Sequence, residues 1–420
     1  MQHVATTSKD RPKNSSVSLY AKRIARGLSR RIKDFGAVEP EGFEMDNIPD
    51  ADIALYFPDQ PAKLYQLTQW LPVFESKKDV TTIVVVRNIE TYQQLLTMTN
   101  LQVLLVPKYE VLMALYDRAS FHAVVYVNNG WTNFQSLSFQ QAVHIHVNHG
   151  ESDKICMVSN QAKAYDKVFV AGQAAIDRHS AAIAWFDLSH LVPVGRPQLD
   201  LTVSNPLPET NLVTITYAPT WEGEDDANNY TSVDLYGPQI ARAALAIPGA
   251  RFVYKPHPRV SLSDDPKVHG NHNEIVTMIK NAGGEHAYLP DANILGVLPE
   301  TNVLISDVSS VTLDHLYLAP DSPILLTDRR SDRDQLLADS PVATACDVID
   351  AESIGNISEI LHSALNSDSH GSERSAMRSY YFGDGSHGSS TQRFWNELER
   401  AITEHDVALQ SLQRVRQFTD

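Results

Sequence analysis

After Gly36, short apolar strand-like runs alternate with stretches in which apolar positions recur every three or four residues. The runs lie at 53–57, 82–86, 102–106, 123–127, 143–147 and 168–171, and amphipathic stretches around 62–70, 89–98, 109–117 and 173–185 separate several of them. Runs of this length predict strands, and helices between them predict parallel βαβ crossovers. A Pro-rich segment, Pro193-Val194-Gly195-Arg196-Pro197 through Ser204-Asn205-Pro206-Leu207-Pro208, then reads as a linker. The alternation restarts with strands at 213–217, 251–254, 303–306 and 324–327 and helices near 236–247, 272–281, 310–318 and 356–366. The expected fold class is α/β, with two Rossmann-like αβα domains over 37–200 and 205–385 facing across a cleft, then a helical segment over 386–420. Open parallel sheets bind ligands beyond the carboxyl ends of their strands, so chemistry is sought just after strands.

Composition narrows the class. The chain has 420 residues, 43% of them apolar, and its 22 Pro and 19 Gly form no period or long tract, which excludes collagen-like, solenoid and wholly disordered chains. Two cysteines, Cys156 and Cys346, support neither a disulfide framework nor a Cys-rich zinc site; they allow a single bridge, and the default expectation is both thiols free in a reducing compartment. No apolar run reaches the roughly 18–20 residues of a membrane span, and Met1–Thr7 carries no secretory pattern.

Charge is divided sharply. Residues 1–36 hold nine basic groups and two acids, a net of +7, while the rest of the chain carries −23. In that head Tyr20, Ile24, Leu28, Ile32 and Phe35 recur at helical intervals between Lys22, Arg23, Arg26, Arg30 and Lys33, the pattern of a short basic amphipathic helix. Such a helix either lies in an anionic membrane interface or packs on the protein itself. Nucleic acid is not an expected partner, since the acidic body repels a polyanion.

Four strand-end segments carry candidate chemistry. In Val147-Asn148-His149-Gly150-Glu151-Ser152-Asp153-Lys154, His149 ends a strand beside Gly150, where a near-neutral imidazole can serve as general base. His144 and His146 occupy one strand face and read as satisfied structural residues. A zinc site from His144, His146 and His149 fits no common spacing, so no metal is expected. Tyr217-Ala218-Pro219-Thr220-Trp221-Glu222-Gly223 offers the Thr220 hydroxyl and backbone amides to a phosphate. In Tyr254-Lys255-Pro256-His257-Pro258-Arg259 two prolines fix the direction in which His257 and Arg259 are presented. In Ser306-Asp307-Val308-Ser309-Ser310 a strand runs into a helix whose free amides and two hydroxyls form a phosphate seat, unless they serve only as caps.

Taken in order, His149-Gly150, Ala218-Pro219-Thr220-Trp221, Lys255-Pro256-His257-Pro258-Arg259 and Ser306-Asp307-Val308-Ser309-Ser310, with Tyr381-Phe382-Gly383-Asp384-Gly385-Ser386 near the end, resemble the CDP-glycerol glycerophosphotransferase family of teichoic acid synthesis. The resemblance covers roughly residues 140–400. It implies a GT-B fold, no metal requirement or cofactor, a CDP-activated polyol donor that releases CMP, a polyprenyl-linked glycan or polymer acceptor, and peripheral attachment to the cytoplasmic face of the plasma membrane. Family members typically have Trp where this chain has Asn148, Arg where it has Glu222 and Tyr where it has Val308. On this reading His149 is the base, His257 and Arg259 stabilise the diphosphate with Lys255, Thr220, Ser309 and Ser310 hold phosphate oxygens, and Gly150, Trp221 and Asp307 support the loops. Two alternatives remain at this stage: a nucleotide-sugar glycosyltransferase using the same cleft, and a non-catalytic membrane-associated scaffold.

Overall fold

The computed structural model describes residues 50–154 and 157–417, with side chains through residue 412. All of them fall within one compact unit, Ile48–Asp420. The basic head 1–36 and Cys156 lie outside the described residues.

The described residues form thirteen strands: β1 (Ile53–Phe57), β2 (Thr82–Val86), β3 (Gln102–Leu105), β4 (Ala123–Tyr126), β5 (Val143–His146), β6 (Lys167–Val170), β7 (Leu191–Pro193), β8 (Val213–Ala218), β9 (Ala250–Tyr254), β10 (Ala287–Tyr288), β11 (Val303–Asp307), β12 (Ile324–Thr327) and β13 (Asp347–Ile349). They make two wholly parallel sheets in the orders β3-β2-β1-β4-β5-β6-β7 and β10-β9-β8-β11-β12-β13. We call the two layers the first and second lobes. Every residue of β1, β2 and β4 is buried, as strands covered by helices on both faces require. Strand order reverses between β1 and β4 in the first lobe and between β8 and β11 in the second, and crevices open beyond the carboxyl ends at these points. Among the described residues no helix is long and apolar enough to cross a membrane.

The segment read as a linker is only partly one. Its first residue, Pro193, ends β7, whose backbone pairs with β6 at the sheet edge, and there its missing N–H costs no ladder bond. Pro197–Asp200 follows as a 3-10 turn, and Val194 through Leu199 are buried. Proline and glycine therefore mark a tightly packed crossing between the lobes. The stretch expected as one helix over 62–70 is divided into a 3-10 turn Pro61–Lys63 and short helices Tyr65–Thr68 and Leu71–Ser76, because Pro72 has no N–H to bond the Thr68 carbonyl four residues back and its ring crowds that carbonyl. The helix expected near 272–281 starts earlier, at Pro266, where the Asp265 carboxylate accepts from the Lys267 and Val268 amides. Finally, the helix Ser389–Gln417 returns to the first lobe and places Phe394, Trp395, Leu398 and Ala401 in its core with Trp70, Phe74 and Phe169.

Candidate functional site

The second-lobe crevice is organised by one buried carboxylate. Asp307, at the end of β11, accepts the Thr220 amide at 2.7 Å, the Ser232 hydroxyl at 2.5 Å and the Thr327 hydroxyl at 2.6 Å. Burial pushes its pKa up to about 6 and these donors pull it back. Its work is to tie the loop after β8 to the ends of β11 and β12, which leaves the Thr220 side chain at the switch point. Next along the chain Ser309 is the N-cap of the helix Ser310–Leu318, yet its hydroxyl makes no capping bond. The first-turn amides and two hydroxyls therefore remain available to an anion.

Beyond β9, His257 accepts the Arg259 amide on Nδ1 at 3.2 Å. In the neutral ring that bond leaves the proton on Nε2. The ring stacks on Trp221 at 6.1 Å between centroids, and the Arg259 guanidinium lies over the other component of the stack, 4.2 Å from the Trp221 ring. Lys255 does not join this group through its ammonium, which instead donates to the Pro256 and Pro290 carbonyls at 3.2 and 3.3 Å. It bolts the turn to the loop after β10 and adds positive charge from behind.

In the first lobe the chain leaves β5 through Asn148, whose φ of 53° lies in the left-handed region that Asn tolerates better than most residues. Its carbonyl accepts the Trp70 indole N–H at 2.6 Å, and its side chain accepts the His149 amide at 2.8 Å. His149 is thus held by a left-handed turn that these two bonds fix, with Nδ1 buried and unpartnered. Tyr65 stands between the lobes: its ring meets His149 edge-on at 5.9 Å and His257 edge-on at 6.5 Å. Gly150 faces Ser310 across the cleft.

Two cations cross between the lobes. Lys154, five residues beyond His149, donates to the Thr220 hydroxyl at 3.0 Å and lies over the Tyr230 ring, which also carries Arg330 at 4.6 Å. Arg196, from the segment read as a linker, forms a buried ion pair with Asp314 of the helix Ser310–Leu318. The acidic stretch after Gly150 is structural: Glu151 and Asp153 pair with Arg178, and Asp153 also accepts from Tyr381 at 2.5 Å and Ser340 at 2.9 Å.

The electrostatics follow from this geometry. Burial lowers the His257 pKa to about 3, helped by the charges of Lys154, Lys255 and Arg259. Burial likewise lowers His149 to about 4, with Arg196 and Lys63 adding to it and the Val127 carbonyl opposing. Both imidazoles are neutral at physiological pH, one able to take a proton and the other presenting N–H. Lys154, Lys255 and Arg259 thus set positive charge around His257 in an otherwise acidic chain. His144 is satisfied, bonding Tyr126 at 2.8 Å and the Phe139 carbonyl at 2.6 Å. His146 departs from the expectation of a satisfied residue: it stacks on Tyr165 at 4.9 Å, but both ring nitrogens are buried without partners.

Sequence reasoning missed Tyr65, Lys154 and Arg196. Lys154 and Arg196 stand inside segments already singled out, but no local spacing marks a side chain that reaches the opposite lobe, and Tyr65 lies on a short helix rather than directly at a strand end.

A family model described as CDP-Glycerol:Poly(glycerophosphate) glycerophosphotransferase matches residues 59–329. None of the curated proteins compared matches the chain significantly. Similar solved structures include the wall teichoic acid polymerase TagF, at 14% identity and TM-score 0.56 over 93% of this chain and 99% of that one. A protein described as a UDP-N-acetylglucosamine 2-epimerase from Listeria monocytogenes is 13% identical, with TM-score 0.58 over 85% of this chain and 98% of that one. S. aureus MnaA, solved with UDP, is 14% identical with TM-score 0.54, over 84% and 97% of the two chains. At these identities the likeness establishes the GT-B fold.

Proposed function

Because the chain belongs to the CDP-glycerol:poly(glycerophosphate) glycerophosphotransferase family and is a transferase, we propose that it moves glycerol phosphate, or a related polyol phosphate, from a CDP-activated donor to a hydroxyl of a membrane-linked glycan or teichoic-acid-like polymer. The observation that carries this reading is the cleft itself, where a neutral histidine from each lobe flanks Tyr65, Lys154 bonds Thr220, Arg259 lies over the adjacent Trp221, and the helix Ser310–Leu318 opens without a side-chain cap.

In the proposed reaction the acceptor oxygen attacks the donor's distal phosphorus in line, a new P–O bond forms as the bond to CMP breaks, and the acceptor proton passes to His149. His257 donates from Nε2 to a diphosphate oxygen, and Arg259 with Lys154 balances the charge that gathers on departing CMP. Thr220, Ser309 and Ser310 hold phosphate oxygens. Catalysis of this kind is mostly positioning and charge stabilisation, and this reading assigns it to the chain's own residues without a resident metal or cofactor. The test is incubation with CDP-glycerol, CDP-ribitol and a panel of sugar nucleotides with mass detection of products. CMP released from a CDP-polyol alone is the expected result, and release of a nucleotide only from sugar donors would make the protein a glycosyltransferase.

The basic pattern of residues 1–36 supports peripheral attachment to the cytoplasmic face of the plasma membrane. Deleting 1–36 should abolish sedimentation with anionic vesicles at low salt while leaving action on a soluble acceptor, since the remaining −23 chain is repelled. Equal sedimentation of both proteins would place membrane recruitment elsewhere.

A further inference from the structure

Beyond β4, at the switch point of the first sheet, the chain reads Asn128-Asn129-Gly130-Trp131-Thr132-Asn133-Phe134. Three oxygens close around Gly130. A methyl group in place of its hydrogen would stand 3.4 Å from Asn128 Oδ1, from Asn133 Oδ1 and from Asp59 Oδ2. Two of the three side chains are oriented by bonds they make as donors: Asn128 Nδ2 donates to Asp59 and to Gln66, each at 2.9 Å, and Asn133 Nδ2 donates to the Asn128 carbonyl at 2.7 Å and to Tyr165 at 3.0 Å. Their amide oxygens are thereby turned toward the glycine. Asn133 is 1% exposed, and its Oδ1 has no partner. A buried acceptor left unpaired in this way calls for a donor from outside the chain.

The residue after the glycine is also unusual. Trp131 is 81% exposed and rests against Phe134 with 5.3 Å between centroids. A single exposed tryptophan means little. Beside a cradle of converging acceptors, an open aromatic face is half of what a sugar ring needs: electron-rich π surface for its C–H face and oxygens for its hydroxyl protons. The cradle carries a carboxylate, offset in part by Lys63 at 3.4 Å from Asp59 Oδ1, and presents acceptors only. Phosphate would meet repulsion there, whereas neutral hydroxyls or an N–H would not.

We propose that Asp59, Asn128, Gly130, Trp131 and Asn133 form a saccharide subsite that holds a neutral sugar residue of the acceptor. Its position links it to the chemistry. Gln66, which bonds Asn128, directly follows Tyr65, the ring that touches both His149 and His257. The inference deepens the transferase reading by giving the acceptor a sugar ring near the reacting hydroxyl, and it rests on that reading.

The subsite is testable apart from turnover. In saturation-transfer NMR with the full chain, cellobiose and diacetylchitobiose serve as saccharide probes and glycerol 3-phosphate as the phosphate probe. We expect transfer to at least one disaccharide that subsite variants lose, while any transfer to glycerol 3-phosphate, which the donor crevice can hold, is unchanged in them. Trp131→Ala and Gly130→Ala, the latter filling the cradle with a methyl at ordinary contact distance, should each weaken saccharide binding at least tenfold while circular dichroism, melting temperature and calorimetric CDP-glycerol binding stay unchanged. No saccharide signal, or equal saccharide signal in both folded variants, would each overturn the subsite. Saccharide binding without CMP release from any CDP-polyol would overturn the transferase reading and leave the sugar site standing.

Discussion

A base must be unprotonated to act, and burial keeps His149 so, with its pKa down to about 4. We expect His149→Ala to lower kcat at least 10²-fold, the lower end of the roughly 10²–10⁴-fold given by general bases, in a protein whose melting temperature is little changed. Near-normal turnover in the folded variant would remove it from the mechanism. Lys154 should behave differently, because it bonds Thr220 in the donor crevice. Lys154→Met is expected to weaken CDP-glycerol binding by roughly ten- to a hundredfold, the worth of a hydrogen bond to a charged group, read by calorimetry; unchanged affinity would confine Lys154 to holding the lobes. The two histidines are legible from sequence because Gly or Pro turns at strand ends leave little choice about where a side chain points. The cations were less so. Lys255 spends its ammonium on carbonyls, whereas Lys154, at the far end of the segment after β5, reaches the Thr220 hydroxyl.

At the scale of elements, the segment 193–200 and the helix Ser310–Leu318 are joined by the buried Arg196–Asp314 pair, and the desolvated Asp314 carboxyl is pushed up to about 6. Removing one member strands the other. Arg196→Ala should therefore cost about 3–5 kcal/mol in urea unfolding, while replacing both by apolar residues of similar size should recover most of the loss. If the double variant is as unstable as the single, the pair is not the cause. Arg196 was hidden from sequence reading by the prolines around it, which predict a loop and say nothing about its burial. Most central strands were legible as apolar runs long enough to stand out, while β5 and β8 alternate apolar with polar residues. By contrast β7, β10 and β13 have two or three residues each and are added at or near sheet edges by register with a neighbour, information no local pattern holds. Helix positions followed the periodicity, and their starts did not, since Asp265-Pro266 caps a helix before its apolar spacing begins.

For the molecule as a whole, acid should act through the histidines that the fold keeps neutral. His146, His257 and His315 are lowered to about 3 and His149 to about 4, chiefly by burial. Their contribution is present above pH 6.5, the ordinary imidazole value, and is lost as pH falls toward 4, because the unfolded chain takes up protons first. Asp153, Asp307 and Asp314, raised to about 6 by the same burial, act in the opposite direction, their contribution being present below 3.8 and lost as pH rises through 6. Four large histidine shifts outweigh three smaller carboxylate ones. The melting temperature should decline from pH 6.5 to 4.5 in calorimetry, and a flat or rising curve would mean the histidines are hydrated in the folded state. The two-sheet architecture is plain from the alternation of strands and helices, but the return of Ser389–Gln417 to the first lobe is not, as an amphipathic helix does not name the surface it will cover. That return has a consequence for synthesis. The first lobe's strands leave the ribosome about two hundred residues before Phe394 and Trp395. At the usual pace of translation its core stays open for roughly 10–40 s, so during each round of synthesis the nascent chain must shelter an uncapped apolar face until its own last helix arrives.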